Sequence, residues 1–142
     1  MESGDRTEAA PRASVQVTLP DGKTDWRHYS LVNTAPGTET TVPQPHYTIA
    51  VRREDEGRGG SRWMHALQPG QRLTIEPPKN DFPLGPHAGC AVLVAGGIGI
   101  TPLVSMAAAR RAAGLPVRML YAGRSRALMA FLPELEGLLG EA

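Results

Sequence analysis

"AVLVAGGIGITPLVSM", residues 91–106, decides the fold. It opens as an apolar strand, passes Gly96, Gly97 and Gly99, and then takes up helical periodicity. "AVLVA" is a continuous apolar run, the pattern of a parallel strand covered on both faces. The glycines let the backbone leave that strand through conformations barred to side chains, and let it approach a ligand closely. Thr101 suits the cap of the following helix and Pro102 its first position. A helix start offers unpaired N–H groups and a partial positive charge, which favour a phosphate. The turn is related to the pattern G-x-G-x-x-G, with Pro102 where the third glycine would stand. Alone it fits a tight turn without a ligand equally well.

Outward from this turn the chain divides into two textures. Residues 102–113 read as a helix ended by Gly114, with Pro116 beyond. "VRMLYAG" is the next buried strand, followed by Arg124, Ser125 and Arg126 rather than by a carboxylate that would grip a ribose. "LMAFLPELEGLL" is a further helix with a proline interruption. Upstream the pattern is β. "SVQVTLPDG" alternates at Val15, Val17 and Leu19 and stops at a Pro-Asp-Gly turn. "DWRHYSLVN" and "HYTIAVRRE" are two more strands, separated by the loop "APGTETTVPQP". "SRWMHALQPG" reads as a short helix and "RLTIEPP" as a strand. A boundary near residues 83–90 gives a polar, disordered arm (1–13), a partial antiparallel barrel (14–84) and a partial parallel-sheet α/β unit (90–142). The fold class is thus β followed by α/β.

Composition narrows the chemistry. The 142 residues carry 16 glycines, 13 prolines and a formal net charge of +1, which gives no bulk pull toward nucleic acid or an anionic membrane. No apolar run approaches the roughly 20 residues of a membrane span, and "MESGDRTEAAPRA" lacks the core of a secretory signal. The expected location is cytoplasmic. Cys90 is the lone cysteine, which excludes an internal disulfide or an iron–sulfur cluster carried by this chain alone. It reads as a buried small hydrophobe. His28, His46, His65 and His87 show no ligand spacing, so no metal site is expected, and His65 is expected to pack or cap locally. Arg110 and Arg111 read as the wet face of the helix after Pro102.

Two further segments bear on function. "RHYSLVN", residues 27–33, sets Arg27 and Tyr29 on one strand face and Ser30 on the other. A cationic fork beside a ring suits a phosphorylated aromatic cofactor, although an edge strand with a surface arginine and a packed tyrosine fits as well. "EGRGGS", residues 56–61, is a second glycine turn before a short helix. There Gly59 and Gly60 could form an anion-binding nest and Ser61 an N-cap.

Taken in order with "YTIAVRREDEGRGGSRWMH", "PKNDFPL", "AGGIGITPLVSM" and "YAGRSRALMAFLPEL", these segments resemble the ferredoxin reductase-like flavoprotein superfamily. The match is nearest the phthalate dioxygenase reductase and vanillate demethylase reductase branch, and runs from about Val15 to the C-terminus. The resemblance implies a flavin-binding barrel followed by a pyridine-nucleotide-binding domain. It implies that Arg27 binds the flavin phosphate, that Tyr29 packs on the isoalloxazine, and that Ser30 lies near flavin N5. Leu31, Ile49, Ala50 and Val51 would line the flavin, with Gly59, Gly60 and Ser61 at its phosphate. Gly96, Gly97, Gly99, Thr101 and Pro102 would receive NADH, with Arg124 and Ser125 near the adenosine ribose. Ser30 and Thr101 would stand closest to the chemistry.

The implied reaction is hydride transfer from nicotinamide C4 to flavin N5, then one-electron release to an iron–sulfur centre that serves a terminal oxygenase. FMN is preferred over FAD, and NADH over NADPH, although the Arg124-Ser125-Arg126 group would also suit a 2′-phosphate. Relatives of this kind begin their barrel with additional strands and continue into further βα units and a plant-type iron–sulfur domain. The chain is therefore expected to be an internal portion of such a reductase, prone to self-association through an unpaired sheet edge. Flavin binding is expected to survive, and complete turnover to need the missing parts. The competing reading is a non-catalytic flavin- or nucleotide-binding module, or an inactive remnant.

Overall fold

The computed structural model describes residues 8–9, 11–32, 46–85 and 87–140. The first sheet is antiparallel. Its central strand β2 (Arg12–Thr18) lies between β3 (Thr24–Ser30) and β4 (Ile75–Lys79). In the β2–β3 register Ala13 faces Tyr29, Val15 faces Arg27, and Val17 faces Asp25. Directly opposed residues share a face, so the apolar positions of β2 lie beside a row of Asp25, Arg27 and Tyr29. Gly22 takes a positive φ of 80° in the connecting turn, where the Pro-Asp-Gly stop was read. The sheet does not close into a barrel among the described residues.

Pairing reaches further toward the N-terminus than the polar composition suggests. β1 (Glu8–Ala9) pairs with β5 (Pro83–Leu84), and β2 starts at Arg12 rather than Ser14. Strand formation here follows ladder partners and the Arg12–Asp81 ion pair, so the expected disordered arm, 1–13, is corrected at these residues. "HYTIAVRRE" is corrected too. Among the described residues only Ile49 bridges, to Leu31, with one more bond from Val32 N–H to Thr48 O at 2.7 Å. The expected loop "APGTETTVPQP" lies mostly outside the described residues.

The second half is a strand–helix–strand unit with a parallel pair of strands. β6 (Ala91–Gly96) and β7 (Val117–Ala122) pair in parallel, and α2 (Ile100–Ala112) connects them. α3 (Leu132–Leu139) follows, with Pro133 in its first turn. Leu93, Ala95, Ile100, Val104, Met106 and Leu135 form one core with Val32. The Ser105 hydroxyl donates to Leu31 O at 3.0 Å inside it. Both helices cover one face of the parallel pair, which leaves Val92 60%, Val94 68% and Leu120 64% exposed on the other. Among the described residues the expected two-sided cover of "AVLVA" is therefore corrected to one-sided.

Two polar side chains also depart from expectation. Arg110 is 0% exposed and donates to His87 O at 2.8 Å, to Gly89 O and to Pro116 O at 3.0 Å. It fastens the entry to β6 and the entry to β7 onto α2, whereas Arg111 is exposed and donates to Leu138 O. Cys90 is exposed rather than buried, because β6 begins one residue later.

Candidate functional site

The first cluster sits where α1 (Gly60–His65) begins, beside the Asp25–Arg27–Tyr29 row. Gly59 has φ 98°, and a Cβ on it would lie 2.6 Å from Pro20 Cδ, so glycine is required there by both backbone and space. A Cβ on Gly60 would come 3.0 Å from Arg27 Nε and 3.3 Å from Val17. The missing side chain is what seats the Arg27 guanidinium at the start of the helix. Arg27 Nη1 donates to Asp25 and, at 3.0 Å, to Trp26 O. No described residue accepts from its Nε or Nη2. Burial raises the Tyr29 hydroxyl pKa above its ordinary value, with the Arg27 charge opposing. Ser61 does not cap the helix, since Gly59 holds the N-cap position. Its hydroxyl instead accepts from Glu54 N–H at 2.9 Å and donates back to Glu54 O at 3.3 Å, closing the glycine-rich loop.

The second cluster is the 96–102 turn. Gly97, with φ 53°, requires the left-handed region; Gly96 is extended with φ −131° and Gly99 has φ −61°. Backbone conformation thus demands one glycine of the three. A Cβ at any of them would meet nothing within 4 Å, so the other two are explained neither by φ nor by crowding. Helix α2 starts at Ile100, with Gly99 before it and no side-chain cap. The reading of Thr101 as cap and Pro102 as first residue is corrected by this shift. Thr101 is buried and donates to Ile98 O at 3.1 Å, bracing the turn from inside. The Tyr121 hydroxyl lies 3.2 Å from Gly97 O and 3.1 Å from Ala130 O, and braces it from β7.

The two halves share a cleft of about 700 Å³. Ala50, Val51 and Arg52 wall one side; Gly97, Ile98, Gly123 and Arg124 wall the other. The His65 ring donates from Nε2 to Val51 O at 2.7 Å, tying α1 to that wall. Among the expected site residues, Ala50, Val51, Gly97 and Arg124 meet here. Arg27, Tyr29, Gly59 and Gly60 belong to the first cluster. Leu31 is 1% exposed, and its backbone is occupied by Pro11 O and by Ser105. Ile49 is its bridge partner. Ser30 ends β3, and Ser125 is exposed and extended. Arg126 pairs with Glu136 on α3, so the basic group is split and Arg124 is the arginine of it that faces the cleft.

Sequence reasoning missed Asp25, Tyr121 and Gly123. A Cβ on Gly123 would lie 2.4 Å from Met129 Cγ, which makes it the packing glycine of the second wall. Its signal was available: a glycine directly after an apolar strand, as at Gly96.

No protein-family profile matches the chain. Its sequence is 44% identical over 131 residues to tetrachlorobenzoquinone reductase of Sphingobium chlorophenolicum, covering 92% of this chain and 38% of that protein. It is 40% identical over 125 residues to phthalate dioxygenase reductase of Burkholderia cepacia, covering 87% and 36%. The solved structure of phthalate dioxygenase reductase superposes with a TM-score of 0.73 at 39% identity, over 92% of this chain and 38% of that one. That protein is described as a modular structure for electron transfer from pyridine nucleotides to [2Fe-2S]. Its fold is the ferredoxin reductase-like fold of that structure. Its homologues are phthalate dioxygenase reductase and related reductase subunits of oxygenase systems. It spans 36% to 38% of the length of the curated relatives named here.

Proposed function

We propose that the chain is the flavin- and nucleotide-binding part of an electron-transfer reductase that serves an oxygenase, with FMN as its flavin and NADH as its electron donor. The observation that carries this reading is the shared cleft, where Ala50 and Val51 face Gly97 and Arg124 across one cavity. The donor chemistry fits a flavin phosphate: a guanidinium held on its Nη1 side presents its remaining hydrogens beside a glycine that leaves them room. One such fork suits the single phosphate of FMN. Tyr29 would flank the flavin ring and Ser30 would offer it a hydroxyl.

When bound, the flavin supplies the conversion between two-electron and one-electron chemistry. The residues of this chain bind and orient. Gly96 and Gly99, unexplained by conformation, leave the backbone open to the nucleotide, while Thr101 and Tyr121 hold the turn rigid as positioning residues. NADH is favoured over NADPH because Arg126 is committed to Glu136, leaving Arg124 alone of that pair for an adenosine ribose. The acceptor would be an iron–sulfur protein or domain of the oxygenase system.

Anaerobic addition of NADH to the FMN-loaded chain tests the reading. Bleaching of the flavin absorbance is expected; a yellow protein that NADH leaves unbleached would overturn the electron-transfer role.

A further inference from the structure

The phosphate-binding reading leaves one charged group at that site unexplained. Asp25 lies opposite Val17 in the β2–β3 ladder, on the same face as Arg27 and Tyr29. Its carboxylate accepts from Arg27 Nη1 and, at 2.8 Å, from Trp26 N–H, and stands 3.7 Å from Arg58 of the glycine-rich loop. We propose that Asp25 is a resident anion of the phosphate site, competing with phosphorylated ligands for Arg27 and Arg58 and thereby setting their affinity. The proposal rests on the flavin-phosphate reading above and adds a residue that tunes it.

Geometry separates competition from mere orientation. Arg27 Nη1 has a second acceptor in Trp26 O at 3.0 Å, and the arginine stem packs where a Gly60 Cβ would be, 3.6 Å from Arg27 Cγ. The guanidinium is therefore seated without Asp25. The carboxylate, in turn, is fixed by its neighbour's N–H, so it does not swing clear when a phosphate arrives. The Arg27 hydrogen bond, followed by that of Trp26, holds its pKa below the ordinary value and keeps it charged near neutral pH. An incoming phosphate meets the free edge of Arg27 with a like charge beside it, which costs affinity at low ionic strength. A ligand without phosphate bears no such cost.

Titration of FMN and of riboflavin, followed by flavin fluorescence, tests this in the native chain, in Asp25→Asn and in Asp25→Ala. Both substitutions are expected to tighten FMN binding by about three- to tenfold at low ionic strength. The gain should shrink at high salt, and riboflavin affinity should stay constant. Inorganic phosphate should compete with FMN more effectively in the variants. Asn keeps the shape of Asp and an acceptor for Trp26 N–H, and thermal unfolding identifies a variant that is misfolded. Equal or weaker FMN binding in a folded variant overturns the role of Asp25 alone. A native chain that binds FMN no better than riboflavin overturns the phosphate site itself, and the competitor with it.

Discussion

Replacing Arg27 with alanine is expected to weaken FMN binding by roughly ten- to a hundredfold, the worth of one or two charge-assisted hydrogen bonds to a phosphate. The expectation follows from the divided use of this side chain. Nη1 is taken by Asp25 and Trp26 O, while the opposite edge of the fork has no acceptor among the described residues and lies over Gly60. Lysine at this position should recover only part of the loss, because a point charge cannot replace the fork. Riboflavin binding should be almost unaffected, since it has no phosphate to lose. Equal FMN affinity in the native chain and Arg27→Ala, measured by fluorescence titration, would remove Arg27 from the site.

The second large effect concerns stability. Arg110→Leu is expected to cost about 2–4 kcal/mol in urea unfolding, within the range for disrupting a buried charged hydrogen-bond network. The three carbonyls involved belong to His87, Gly89 and Pro116, in the segments that lead into β6 and β7. Without the guanidinium these segments lose their anchor to α2, and the parallel pair loses its common starting line. Arg110→Lys should fall between, keeping the charge but not the fan of donors. Arg111→Leu, at an exposed neighbour, should cost well under 1 kcal/mol. A similar small loss at Arg110 would contradict its structural role.

Arg110 also shows where sequence legibility ended. An arginine pair after an alanine run reads as a solvated helix face, because nothing local reveals that the segment before β6 and the turn before β7 converge on the first of them. The strand–turn–helix around Gly97 was legible from apolar run, glycines and helical periodicity. Its helix boundary slipped by two residues because Thr101 and Pro102 look like cap chemistry while Gly99 fills the cap position. Alternation at Tyr47, Ile49 and Val51 did not become a ladder, since pairing depends on what lies opposite. One-sided cover of β6 was invisible for the same reason: five apolar residues in a row do not say which of them is met by a helix.

The candidate site divides along similar lines. Arg27, Gly59 and Gly60 could be read from motif chemistry, and the structure brings them together. Ser61 and Thr101 carry the right residue types, but both hydroxyls are turned to backbone carbonyls of their own loops. Asp25 escaped notice although it stands two residues before Arg27 on the same strand face, because only the fold brings Arg58 of the glycine-rich loop to it as well.

An amide-resolved NMR titration of the chain, first with FMN and then with NAD⁺, tests the shared cleft most directly. FMN should move the Arg27 Nε–H, Gly60 and Ala50–Val51 resonances, and NAD⁺ should then move Gly96–Gly99 and Gly123 while perturbing Ala50–Val51 again. Two ligands that shift separate sets of residues with none in common, or that leave the glycine turn unmoved, would contradict it.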